Sequence, residues 1–172
     1  LGDGASLQGK WDLLFSHAVL HWIDDHQALI PQLWQHIYPG GQLAVQIPSN
    51  QRHPSHTCII AAASEEPFKS ALGGWVRHSP VLEIDQYAQL LHGCGTKDFT
   101  VLEKVYPTWL PEAAAIAEWT KGTTLVPYFE LLPQELHEAF LQRYRELLTE
   151  ALPSGPMLFT FRRILFTAVK PG

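Results

Sequence analysis

The chain has 172 residues, 46% hydrophobic and 17% charged, with a formal net charge of −5. That length and composition allow a sizeable core in one globular domain, and 12 Lys and Arg against 17 Asp and Glu argue against a nucleic-acid partner, whose phosphates require clustered cations. No apolar run approaches the roughly 20 residues of a bilayer crossing, LGDGASLQGK is neither basic nor apolar enough for a signal peptide, and Cys58 and Cys94 are too few for a disulfide framework, so the expectation is a cytoplasmic protein with reduced thiols and no membrane partner.

Leu1 stands where an initiating Met would, which reads as a fragment or a processed product. WDLLFS, after Lys10, predicts a strand at 11–16 buried on both faces, as in parallel sheets. Asp24 and Asp25 offer N-caps to a helix whose Leu29, Ile30, Leu33, Trp34 and Ile37 share one face, with Pro31 as a kink and Pro39-Gly40-Gly41 as the stop. QLAVQIP, rich in branched residues, predicts the next strand, and strand, helix, strand in this space is a βαβ unit. A helix is expected near 56–64, and another, capped by Asp85, carries Ile84, Tyr87, Leu90 and Leu91 to Gly93.

The alternation Phe99, Val101, Glu103, Val105 predicts a half-exposed strand. Pro111 opens a helix through Ile116 and Trp119 to Gly122. Pro133 opens another in which Leu136, Phe140, Tyr144, Leu147, Leu148 and Ala151 recur at helical spacing while Arg143, Arg145 and Glu146 face water. MLFTFRRILFTAVK reads as a closing strand.

His17 and His21 stand four apart, and His53 and His56 lie on the HPSH segment. Zinc asks for three or four ligands and neither cysteine is suitably spaced, so no metal site is expected.

WDLLFSHAVLHWIDDH with PGGQLAVQIP, then EWTKGTTLVPYF, then LFTFRRILFTAVKP, resemble in this order the trans-aconitate 2-methyltransferase family of class I S-adenosylmethionine-dependent methyltransferases, across Trp11 to Pro171. The resemblance implies an α/β fold with a partial Rossmann-like sheet. In the family the strand order is 3-2-1-4-5-7-6 with the last strand antiparallel; 11–16 would be strand four, 42–47 strand five, 98–106 strand six and 158–169 strand seven. This chain would then hold strands 4-5-7-6, with a core of 1–110 and 157–172 and a helical cap, 111–156, inserted between strands six and seven. Strands one to three are expected outside this sequence, and with them most of the cofactor site: the glycine-rich turn that holds the methionine end and the acidic residue that holds the ribose. Gly93-Cys94-Gly95 does not replace that turn, because a cradling turn runs strand, glycines, helix and here the order is reversed. Gly2-Asp3-Gly4 has no preceding strand.

In open α/β sheets ligands lie beyond the carboxyl ends of parallel strands, here Ser16-His17-Ala18 and Ile47-Pro48-Ser49-Asn50. By the resemblance Ser16, His17 and Ala18 border the S-adenosylmethionine sulfonium, with His21 and Trp22 behind them, a pair that reads equally as a structural turn packed on the sheet. Arg162 and Arg163 open the last strand near that edge. Adjacent strand residues face opposite ways, so at most one of them meets a small carboxylic acid, for which the guanidinium fork is matched. Asn50, Arg52, His56, Trp119, Lys121 and Tyr128 complete the expected acceptor contacts; for Trp119 packing on its apolar helix face competes.

The reaction so implied moves a methyl group from S-adenosylmethionine to a carboxylate oxygen of trans-aconitate or a related acid, giving a monomethyl ester. A carboxylate with a reference pKa of about 4 is ionised at neutral pH, so no general base is needed and no catalytic side chain is expected. The alternatives are a methyltransferase with another small acceptor, and a truncated, non-catalytic binding or assembly module that self-associates through the exposed edge of the strand at 11–16.

Overall fold

The computed structural model describes residues 7–172; Gly2-Asp3-Gly4 lies outside them. The fold is α/β. The strands β1 (Trp11–His17), β2 (Ile37–Pro48), β3 (Phe99–Leu110) and β4 (Met157–Val169) form one mixed sheet in the order β1-β2-β4-β3. β1 runs parallel to β2, and β4 runs antiparallel to β2 from Gln42↔Val169 to Pro48↔Arg163. These are the neighbour relations expected from the sequence, with the closing strand antiparallel. Among the described residues no helix is long and apolar enough to cross a membrane.

The chain divides into two compact units. One comprises the described residues 7–49, with 79–106 and 161–172; the other comprises 50–78 and 107–160.

In the first unit, α1 (His26–Gln35) joins β1 to β2, and the Asp25 carboxylate accepts from the Ala28 amide at 3.1 Å, the expected N-cap. Its buried Ile30, Leu33 and Trp34 meet Leu43, Val45 and Ile47 of β2, Ile164, Phe166 and Ala168 of β4, and Tyr87 and Leu91 of α4 (Ile84–Gly93). α1 runs through Pro31 but ends before Pro39-Gly40-Gly41. Ile37, expected on the helix, is already in β2 opposite Trp11. The glycines therefore serve the sheet instead of stopping a helix. Gly40 sits at φ +79, and a Cβ on Gly41 would fall 2.9 Å from the Asp12 carbonyl oxygen. β1–β2 pairing shifts register at this point.

α4 starts one residue before Asp85. Glu83 is its cap, its amide donating to Gln86 Oε1 at 2.9 Å. Gly95, at φ +87, takes the left-handed position after the helix, so the Gly93–Gly95 segment ends a helix, as expected.

β1 departs from the expected burial on both faces. Among the described residues β1 pairs with β2 alone, and Leu13 and Phe15 are 52% and 68% exposed.

The second unit is helical: α2 (Pro54–Ala63), α3 (Phe68–Ala71), α5 (Ala115–Lys121), α6 (Val126–Leu131) and α7 (His137–Ala151). α7 buries Phe140, Tyr144 and Leu148 of the expected face and Leu141 beside them, whereas Leu136 lies in the preceding 3-10 turn, Leu147 is half-buried and Ala151 is exposed; Ile59 and Ala62 of α2, Ile116 and Ala117 of α5, and Tyr128 of α6 are buried too. Arg143 and Arg145 do not simply face water. They close on Glu65 and Glu118, each at 2.6 Å.

Candidate functional site

β1 ends where the Ala18 amide donates to the Gln46 carbonyl at 2.9 Å. Ala18 then turns the chain at φ +51, a left-handed value that a non-glycine residue adopts at a cost. The 3-10 turn Leu20–Trp22 follows, with Leu20 fully buried and its carbonyl accepting from His26 Nε2 at 2.9 Å. His21 and Trp22 lie ring to ring, centroids 4.9 Å apart. Trp22 is exposed, whereas the Ser16 hydroxyl oxygen is buried with no hydrogen-bond partner. The sequence Ser16, His17, Ala18, His21, Trp22 is thus gathered at one strand end. Among the described residues no glycine lies between the end of a strand and the start of the next helix, so no phosphate-type or cofactor-cradling glycine turn is present there.

The two arginines separate as strand alternation requires. Arg162, 55% exposed in its side chain, reaches Glu103 at 3.4 Å, and the Ser49 hydroxyl donates to the same carboxylate at 3.0 Å. Arg163 stands opposite Pro48 of β2, on the other face. Its guanidinium carbon lies 4.8 Å from the Phe161 ring centroid and 5.6 Å from that of Tyr106, and its Nη1 is buried with no hydrogen-bond partner.

On that same face lies a residue that sequence reading passed over. Gln46 is 8% exposed, and its Oε1 has no hydrogen-bond partner. Its one signal in the sequence is a polar side chain inside the otherwise apolar run LAVQIP.

The remaining acceptor candidates belong to the second unit. Asn50 is buried, and its carbonyl accepts from the His53 amide at 2.9 Å. Arg52 is exposed. His56 Nδ1 lies 3.0 Å from the Ser55 hydroxyl, which is also 3.1 Å from His53 Nδ1. Trp119 packs edge-on against Phe159 at 5.1 Å. Tyr128 is in the core: its hydroxyl accepts from the Arg77 amide at 3.1 Å, and burial pushes its phenol pKa up. Lys121 lines a cleft of about 290 Å³ with Phe129, Gln134, His137 and Glu138.

A larger cleft of about 480 Å³ opens between α1 and α4 over Pro31, Trp34, Leu90 and Cys94. Its lining contains no charged side chain, which does not suit a polycarboxylate. Among the described residues no group of three or more His, Cys, Asp or Glu is placed to hold a metal ion.

No family model matches the chain. It is 46% identical over 176 residues to the trans-aconitate 2-methyltransferase of Deinococcus radiodurans, covering 99% of this chain and 67% of that protein. It is 34% identical over 163 residues to that of Variovorax paradoxus, covering 92% and 62%. Relative to these two curated proteins the chain spans 62% to 67% of their length. Among solved structures, a candidate methyltransferase from Bacillus halodurans superimposes with a TM-score of 0.54 at 12% identity, over 95% of this chain and 71% of that one, a likeness of fold alone.

Proposed function

The chain belongs to the trans-aconitate 2-methyltransferase family, and from that premise we propose that the whole protein methylates a carboxylate of trans-aconitate or a closely related small polycarboxylic acid. The observation that carries this reading is the 46% identity across 99% of the chain. S-adenosylmethionine, when bound, supplies an activated methyl group: a carboxylate oxygen forms the new C–O bond as the C–S bond breaks, its electron pair passing to sulfur, to leave a monomethyl ester and S-adenosylhomocysteine. The residues present fit one side of that cofactor. The unpartnered Ser16 hydroxyl offers a hydrogen bond at the end of β1, and the His21–Trp22 pair offers an aromatic face, worth about 0.5–2 kcal/mol to a cation. His17 and Ala18 complete that strand end, and the glycine turn and ribose-binding acid are assigned to sequence outside this chain.

The acceptor's carboxylates are ionised at neutral pH, so this chain needs no general base and no side chain is assigned one. Its task is to hold the acid in line and keep water away. Of the two adjacent arginines of β4, Arg163 supplies the charge, its Nη1 having no hydrogen-bond partner, whereas Arg162 is held by Glu103. Lys121, Arg52, Asn50 and His56, all of the second unit, are acceptor contacts by the family resemblance alone. Trp119 and Tyr128 keep a supporting part through their packing. A cytoplasmic location belongs to the same reading and accords with the free thiols of Cys58 and Cys94.

Incubating the whole protein with methyl-labelled S-adenosylmethionine and a panel of di- and tricarboxylic acids tests this. We expect a base-labile methyl ester on an unsaturated tricarboxylate; transfer to none of the acids would sink the reading.

The second reading, self-association of this chain through β1, is favoured by the exposed Leu13 and Phe15 on an edge strand. The 172-residue chain should then sediment as a dimer at tens of micromolar, with Phe15→Lys shifting it to monomer. A monomer without the substitution would refute it.

A further inference from the structure

We propose that Gln46 and Arg163 form the subsite for a carboxylate of the acceptor that does not react, an inference resting on the acid-methylating reading above. Between Gln42↔Val169 and Pro48↔Arg163 the β2–β4 ladder runs without a break in register. Arg163 is opposite Pro48, and Gln46 is two residues earlier on β2, so both side chains leave the same face as diagonal neighbours, about 7–8 Å apart at the backbone. A carboxylate seated between them reaches a donor on each side.

Both residues hold polar atoms out of water without a partner, Oε1 on Gln46 and Nη1 on Arg163. Holding such an atom out of water without a partner is unfavourable, the more so for the charged one. An orphaned donor and an orphaned acceptor on the same face do not satisfy each other here. A bound anion relieves both: it accepts a hydrogen bond from Nη1–H directly, and rotation of the Gln46 amide about its last torsion presents the NH2 in place of Oε1.

The surroundings point the same way. Phe161 and Tyr106 lie against the guanidinium, fixing its orientation and leaving its edge for hydrogen bonds. The nearby carboxylate of Glu103 is engaged by Arg162 and Ser49, on the opposite face from Arg163, so it does not compete for the fork. His17, directly opposite Gln46 in the parallel β1–β2 ladder, shares the face and places the pair beside the strand end assigned to the sulfonium.

The test uses the whole protein with two readouts. Calorimetry with propane-1,2,3-tricarboxylate, an unreactive probe, measures binding without methyl transfer; initial rates with the acid acceptor measure KM and kcat. Arg163→Gln should weaken probe binding and raise the acceptor KM about 10–100-fold, the range for a charge-assisted hydrogen bond. Gln46→Glu, which sets a negative charge beside the ligand, should do likewise. Gln46→Leu, which removes the orphaned amide and suits a strand core, should raise KM about 5–10-fold without lowering the melting temperature. Arg163→Lys should recover part of the loss, and KM for S-adenosylmethionine should stay within about twofold throughout. Unchanged acceptor KM and probe affinity in Arg163→Gln and Gln46→Leu would overturn the proposal. So would acceptor and cofactor KM rising together with a fall in melting temperature, which assigns the pair to packing. Arg163-dependent probe binding in a protein that methylates no acid would uphold this subsite while removing the reaction proposed for it.

Discussion

Phe140→Ala is expected to destabilise the helical unit by about 3–5 kcal/mol, a large share of the 5–15 kcal/mol that holds a typical domain folded. The cause lies in where α7 puts this ring. Phe140 is fully buried and meets Phe68 edge-on at 5.2 Å, Tyr128 in a stack at 5.7 Å and Phe129 edge-on at 6.4 Å. Truncation loses the transfer free energy of the ring and opens a cavity that three aromatic neighbours from α3 and α6 cannot collapse into without leaving their rotamers. It also forfeits ring-pair geometry worth about 0.5–1.5 kcal/mol per pair. Phe140→Leu, which keeps most of the volume, should cost well under half as much. Denaturant titration followed by tryptophan fluorescence reports the difference, since Trp75 packs on Tyr128 in the same unit. A loss below about 1 kcal/mol for the alanine variant would mean that this core is more yielding than its contacts imply.

That helix was readable in advance because its apolar residues recur every three or four positions, and the sheet was readable because its strands are runs of branched residues between turn formers. What composition and spacing did not carry were decisions taken by tertiary pairing. Pro39-Gly40-Gly41 looks like a helix stop, but Trp11 claims Ile37 as a strand partner, and the glycines are needed where β2 passes the Asp12 carbonyl. WDLLFS looks doubly buried, and among the described residues it pairs with β2 alone. α6 went unread because Pro127 and the short run around it carry no helical period.

The candidate site shows the same division. A polar stretch at a strand end could be located from Ser16 to Trp22, because parallel strands direct their carboxyl ends to ligands. Alternation separated Arg162 from Arg163 but could not say which had a carboxylate waiting for it; that depended on Glu103 facing Arg162 from a strand 59 residues away. Gln46 was invisible for a related reason. A single glutamine in a strand ordinarily marks the solvent side, and here its side chain is buried.

His26 links the core of the sheet unit to the turn after β1, and its replacement carries the second large expected effect. The imidazole is almost wholly buried, with Nε2–H donating to the Leu20 carbonyl at 2.9 Å and Nδ1 accepting from the Tyr87 hydroxyl. Leu20 can only accept, which fixes the proton on Nε2. Burial keeps the Tyr87 phenol well above its usual range and therefore protonated, and its oxygen in turn accepts from the Leu82 amide at 3.2 Å. His26→Ala leaves the Leu20 carbonyl and the Tyr87 hydroxyl buried without these partners, so a loss of about 2–5 kcal/mol is expected. The neutral ring also makes the unit acid-sensitive. Burial lowers the His26 pKa below its ordinary 6.5, against smaller upward pulls from backbone carbonyls and from Asp24 and Asp25. As pH falls through that value the unfolded chain binds the proton first; the contribution of His26 is intact above pH about 6.5 and is lost toward the lower folded-state value. His26→Gln, able to donate to Leu20 and accept from Tyr87 but unable to titrate, should flatten this part of the stability curve between pH 7.5 and 5. An unchanged slope would place the sensitivity elsewhere. Because the Leu20 carbonyl belongs to the turn that presents His21 and Trp22, acid should loosen that turn before it disturbs the β2–β4 ladder, and hydrogen exchange at Trp22 and Ile23, whose amides donate to Val19 and Leu20, would register it first.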